Sequence, residues 1–100
     1  MADKKMSGNE FVETLRQKIK DTTLLKNHYF VIVGQQDNYD GVEDTSVVLV
    51  KNTTKRVLCA FSYDTNGLIY NMSFGGISFA ELIELTDLFK SILDRYNYNY

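Results

Sequence analysis

Between residues 11 and 19 apolar side chains recur at every fourth position, Phe11, Leu15 and Ile19, with Val12 beside them and Glu13, Arg16, Gln17 and Lys20 between. A repeat close to the helical period places these side chains on one stripe of an amphipathic helix. Ser7 stands three residues before Glu10, the spacing at which a hydroxyl and a carboxylate satisfy free amides at a helix start. The pattern predicts a helix over about residues 8–21, preceded by an arm over residues 1–7.

From His28 the period shortens. HYFVIVG is a β-branched and aromatic run ended by Gly34, SVVLVK runs from Ser46 to Lys51, and RVLCAFSY runs from Arg56 to Tyr63. Such residues favour strands, and Asn52-Thr53-Thr54 between the last two is turn material, which predicts a hairpin. Asp64-Thr65-Asn66-Gly67 follows, and because Asn and Gly tolerate positive φ, it predicts a type I′ turn into a fourth strand over Leu68 to Phe74. Gly75-Gly76 ends the sheet, and Ser78 with Glu81 repeats the capping spacing ahead of a long helix over about residues 79–96, with residues 97–100 as a tail.

Two patterns suggest more apolar surface than one copy needs. On the last helix Phe79, Leu82, Ile83, Leu85, Leu88, Phe89, Ile92, Leu93 and Tyr96 cover more than half the circumference, well beyond a single buried stripe. The strands are apolar on both faces: Tyr29, Val31 and Val33 alternate with Phe30 and Ile32, and Val57, Cys59, Phe61 and Tyr63 with Leu58 and Ala60. A sheet with one wet face alternates more cleanly, so both faces are expected to be covered over part of their area. The expectation is one α+β domain over residues 1–100 in the order α-β-β-β-β-α. In it a four-stranded antiparallel sheet is packed by the long C-terminal helix, with the shorter N-terminal helix beside it or on the opposite face. Leftover apolar area would then meet a protein partner, most simply a second copy in a homodimer.

Composition narrows the chemistry. One hundred residues suit a single domain. Eleven Lys and Arg against thirteen Asp and Glu give a net charge of −2, unlike a protein that grips nucleic acid mainly through phosphates. A lone cysteine, Cys59, cannot form an intrachain disulfide and suits a reducing compartment. No apolar run follows the N-terminal lysines and none approaches a membrane span, so the expected location is the cytoplasm.

The single histidine, His28, has no metal-spaced or nucleophilic companion and reads as structural. Cys59 sits mid-strand, where a thiol behaves as a small hydrophobe. Aligning Gly41 with the sixth position of a calcium loop puts Gln36, Asn38 and Asp40 at ligand positions but Val47 where a bidentate Glu is required. Gly75-Gly76 lacks the spacing of phosphate-binding loops. Glu81, Glu84 and Asp87 have the spacing of an ordinary polar helix face. The expectation is a protein that is not an enzyme and takes no cofactor or metal.

What remains is contact chemistry. Asp37, Asp40, Glu43 and Asp44 concentrate charge in a loop expected over residues 36–45, suited to a basic partner, as in an inhibitor or regulatory protein. Tyr96, Tyr98 and Tyr100 alternate with Asn at the C-terminus, and tyrosine offers large contact area at small entropic cost. These are the candidate partner-binding residues of an accessory interaction module. The alternative is single-stranded nucleic-acid binding through Lys51, Lys55 and Arg56 at the predicted hairpin, with sheet aromatics as stacking surfaces.

Overall fold

The structure, a computed structural model, describes residues 6–38 and 41–97, with side chains through Leu93. Helix α1 (Gly8–Lys18) runs into a 3-10 turn (Ile19–Asp21), followed by strands β1 (Tyr29–Asp37), β2 (Glu43–Val50), β3 (Val57–Asp64) and β4 (Leu68–Phe74) and helix α2 (Phe79–Asn97). The strands form one antiparallel sheet in the order β1-β2-β3-β4. This is the expected α+β architecture. Both helices start with the capping boxes visible in the sequence: Glu10 N–H donates to Ser7 Oγ at 3.1 Å and Glu81 N–H to Ser78 Oγ at 3.2 Å, each with the reciprocal bond. The α-form of the first helix stops short of residue 21 because the hydroxyl and N–H of Thr22 both donate to Ile19 O, at 2.6 and 3.1 Å, and close the last turn.

Both helices lie on the same face of the sheet. Phe11, Val12 and Leu15 of α1 and Leu85, Leu88, Phe89, Ile92 and Leu93 of α2 join one buried cluster with Phe30, Val47, Leu49, Cys59, Phe61 and Tyr63. The Phe11 ring stacks on Tyr63 with centroids 4.1 Å apart and 8° between planes, and Phe89 meets Phe61 edge-on at 5.0 Å. Such pairs add about 0.5–1.5 kcal/mol each beyond burial of their area. The Tyr63 hydroxyl donates to Met6 O at 2.7 Å, tying down the end of the N-terminal arm. Because both helices are used on one face, the expectation that both faces are covered does not hold among the described residues.

Each strand pairing contains a bulge, and the bulges account for part of the poor alternation in the sequence, the apolar residues on the face opposite the helices for the rest. Val33 is skipped between the pairs Ile32↔Val47 and Gly34↔Ser46 and is 61% exposed. Leu58 is the extra residue between Val50↔Val57 and Leu49↔Cys59, so it joins Cys59 in the core while Val57 is exposed. Asn71, at φ 54°, is the extra residue of β4 together with Met72 opposite Phe61. Asn tolerates that left-handed conformation better than most residues, and the local kink returns Met72 to the core.

The β3–β4 connection also departs from expectation. Asp64 pairs with Leu68, so the loop has three residues, Thr65, Asn66 and Gly67, and only Gly67 takes positive φ, at 88°. The Asp64 carboxylate accepts from Asn66 N–H at 2.9 Å while Gly67 N–H donates to Asp64 O at 2.8 Å. That side-chain bond holds Asn66 out of the left-handed conformation which a two-residue type I′ turn demands.

The start of α1 presses against β2 at Gly8, where a Cβ would overlap the fully buried Thr45 side chain at Oγ1. Gly8→Ala is expected to destabilise the protein by about 1–3 kcal/mol, although Ala favours a helix. Thr45→Ala in the same chain should recover part of that loss in urea unfolding. A neutral or stabilised Gly8→Ala single variant contradicts this packing.

Candidate functional site

The bare face of the sheet is read directly from the register. Tyr29, Val50 and Val57 form one row across the strands, followed by Val31, Val48 and Ala60. These six are apolar or aromatic, and Val50, flanked on both strands, is the most buried of them. The next row is small and polar: Gly34, Ser46 and Ser62, with Tyr70 on β4. It forms a shallow depression of about 330 Å³ that Gln36 and Asp44 also line. Away from these rows, Phe79 is 77% exposed and Ile83 and Phe74 are about half exposed. Among the described residues, the exposed large apolar side chains of the last helix are Phe79 and Ile83, in its first turns.

The expected acidic loop is shorter than the sequence suggested. Asp37 pairs with Glu43 and Gln36 with Asp44, so Asp37, Glu43 and Asp44 belong to the β1–β2 ladder. Main-chain pairing simply continues through these polar residues, and Asp44 is paired on both sides, to Gln36 and to Asp64. Asp44 accepts from Asn38 Nδ2 at 2.6 Å, and the β3–β4 loop is bonded alongside, with Thr65 N–H donating to Glu43 O at 3.2 Å. The result is an acidic sheet end that also includes Asp64, a residue whose contribution is invisible before β3 is placed beside β2. Tyr70 reports its field: the neighbouring Asp44 carboxylate, which accepts from its hydroxyl, raises the phenol to about 12, with lesser contributions from burial and the charge of Asp64. Asp40, Tyr98 and Tyr100 lie outside the described residues, and so does the side chain of Tyr96 in the last turn of α2.

Lys51, Lys55 and Arg56 occupy the opposite end, all exposed in the β2–β3 turn. Lys55 takes φ 61°, a conformation unusual for a residue with a long side chain. Its ammonium group lies 5.5 Å from the Tyr29 ring centroid and donates to Asn52 Oδ1 at 3.2 Å. The sheet thus carries a basic end beside its apolar rows and an acidic end beyond its polar row.

Cys59, His28, Glu81 and Glu84 are engaged within the fold. Burial raises the Cys59 thiol to about 11, the opposite of what a nucleophile needs. His28 Nε2 lies 3.5 Å from Glu81 Oε2, and Nδ1 has no partner. The Ser78 backbone N–H, together with its hydroxyl and His28, holds Glu81 below the usual carboxylate range despite partial burial. Glu84 receives three backbone amides from the segment before β1: Thr23 N–H at 2.9 Å, Leu24 at 2.8 Å and Leu25 at 3.0 Å. Burial pushes this carboxyl upward, but the three donors outweigh it and leave it lowered. No group of three His, Cys, Asp or Glu side chains suited to a metal occurs among the described residues, and no helix there is long and apolar enough to cross a membrane.

Comparison with protein-family models, with curated proteins and with solved structures finds no match to this chain.

Glu84 clasps the 23–25 segment to α2, and Glu84→Ala is expected to cost about 1–2 kcal/mol because three amides, that of Leu25 part-buried, lose a charged acceptor. A lowered carboxyl stabilises the fold above its unfolded value of 4.5 and loses that contribution as pH falls through the folded value. The midpoint of urea unfolding should therefore decline more shallowly below about pH 4.5 in Glu84→Gln than in the parent. Identical acid limbs for the two proteins would show that the clasp does not bear on stability.

Proposed function

We propose that this chain is a non-catalytic cytoplasmic interaction module that works as a homodimer, packed through the bare face of its sheet. The observation that carries this reading is the one-sided placement of the helices, which leaves Tyr29, Val31, Val48, Val50, Val57 and Ala60 on the face opposite them, with Val57 exposed, Val50 buried between its neighbours and the other four partly buried. Apolar rows of this kind are usually buried, and sheets pack face to face about 10 Å apart.

Charge and shape favour a second copy as the occupant. Consider a two-fold axis lying across the strands at the row Val31, Val48 and Ala60. Each copy's Lys51, Lys55 and Arg56 then comes over its partner's Asp44 and Asp64, and Tyr29 comes over the depression lined by Gly34, Ser46 and Ser62. Both contacts occur twice, as an isologous interface requires. The cation over the Tyr29 ring keeps that projecting group and its positive charge together. In this arrangement the acidic residues Asp37 and Glu43 remain at the rim, where they can steer a basic partner to the assembled dimer.

A second reading, single-stranded nucleic acid on the same face, is favoured by one observation: Tyr29 and Tyr70 share that face with the basic turn. It predicts affinity for oligothymidylate that falls with salt and is lost when Lys51, Lys55 and Arg56 are replaced. The acidic end works against it, since a backbone running along the strands would meet Asp44 and Asp64.

Light scattering tests the dimer. The parent protein is expected to show twice the chain mass at micromolar concentration, and Val48→Lys, which places a charge in the middle row, should show the monomer mass with an unchanged circular dichroism spectrum. A parent protein that stays monomeric across the accessible concentration range overturns the reading.

A further inference from the structure

A second surface, which meets the bare face at Tyr29 and Val31, is formed by the free edge of β1 and the outer side of α1. They enclose a groove of about 570 Å³ lined by Glu13, Arg16, Lys20, Lys26, Tyr29 and Phe30 among others. Three of these side chains are cations and one is an acid, and Glu13 is already 3.5 Å from Arg16. The groove is therefore positive in a chain whose net charge is negative.

The edge itself is open to pairing. Among the described residues no strand lies beyond β1. The Arg16 guanidinium donates to Phe30 O through Nε at 3.3 Å and Nη2 at 3.2 Å, which shows that the Phe30 carbonyl points away from β2. Main-chain groups of alternate residues point the same way, so those of Ile32 do too. Arg16 occupies the place that an N–H of an added strand would take.

We propose that the β1 edge binds an acidic, extended peptide segment of a partner protein by strand addition. The incoming main chain pairs with Phe30 and Ile32, Arg16 is displaced from the Phe30 carbonyl onto a carboxylate of the incoming segment, and Lys20 and Lys26 take further carboxylates. Strand addition draws affinity from main-chain hydrogen bonds and specificity from flanking side chains, and here the flanking charge selects acidic sequences. A guanidinium that caps an edge carbonyl also blunts the edge against pairing with chains that offer it no carboxylate. A peptide fits this groove better than a nucleic acid does because the feature peculiar to it is an unpaired main-chain edge, which a phosphate backbone cannot extend.

The test uses the full chain with three fluorescent probes: a short peptide alternating Glu with Val, its Lys-for-Glu counterpart, and oligothymidylate. The Glu peptide is expected to bind in anisotropy titrations and to slow amide hydrogen exchange at Phe30 and Ile32, while the Lys peptide does not bind. Lys20→Glu combined with Lys26→Glu, both exposed positions, should weaken the Glu peptide about tenfold or more. Val48→Lys should leave it unchanged, which separates this site from the dimer face. Failure of the Glu peptide to bind, equal binding of the Lys peptide, indifference to the charge reversals, unaltered exchange at Phe30 and Ile32, or displacement by oligothymidylate would each overturn the proposal.

Discussion

The structure depends on aromatic packing at the centre of the sheet. Tyr63 lies under Phe11, Phe61 meets Phe89, and Phe30 meets Phe61 edge-on at 6.3 Å, so one set of rings connects α1, α2, β1 and β3. Rings of this size need area on both sides, and two helices side by side supply it only if they share a face. Phe11 and Phe89, 6.2 Å apart, show that they do. The bare opposite face is the direct consequence, because the chain has no third helix among the described residues to lay across it.

The segment between α1 and β1 would have little to hold it without the carboxylates of α2. Leu25 inserts into the core, and Glu84 satisfies the amides of residues 23–25 while His28 reaches Glu81. These two acids, one turn apart on a helix, would pass for a solvated face. Their role is to join the start of the sheet to the last helix, and through it they fix where Lys26 and Tyr29 stand along the β1 groove.

Charge on the sheet is sorted by strand direction. In an antiparallel meander, alternate connections fall at the same end, so the β1–β2 and β3–β4 loops bring Asp37, Glu43, Asp44 and Asp64 together and the β2–β3 turn carries Lys51, Lys55 and Arg56 to the other end. A nearly neutral chain thereby gains two opposite poles flanking an apolar centre. That arrangement is what supports a reading in association rather than catalysis, together with a buried thiol pushed away from reactivity.

Local signals in the sequence determined the elements. Capping boxes at Ser7 and Ser78, β-branched runs and the turn residues between them, Gly75-Gly76 included, placed two helices and four strands in their observed order, because caps and periodicity act over a few residues and need no distant partner. The acidic cluster and basic turn were equally visible as charges. What the sequence could not determine was set by contacts remote along the chain: the bulges at Val33, Leu58 and Asn71, the shared face of the helices, the clasp of Glu84 on Thr23, Leu24 and Leu25, and the entry of Asp64 into the acidic end. Each arises only when strands or helices far apart in sequence are brought within a few ångströms, and a one-dimensional pattern holds no record of that distance. The tertiary structure decided which side of the sheet the helices cover, and with it which side they leave open.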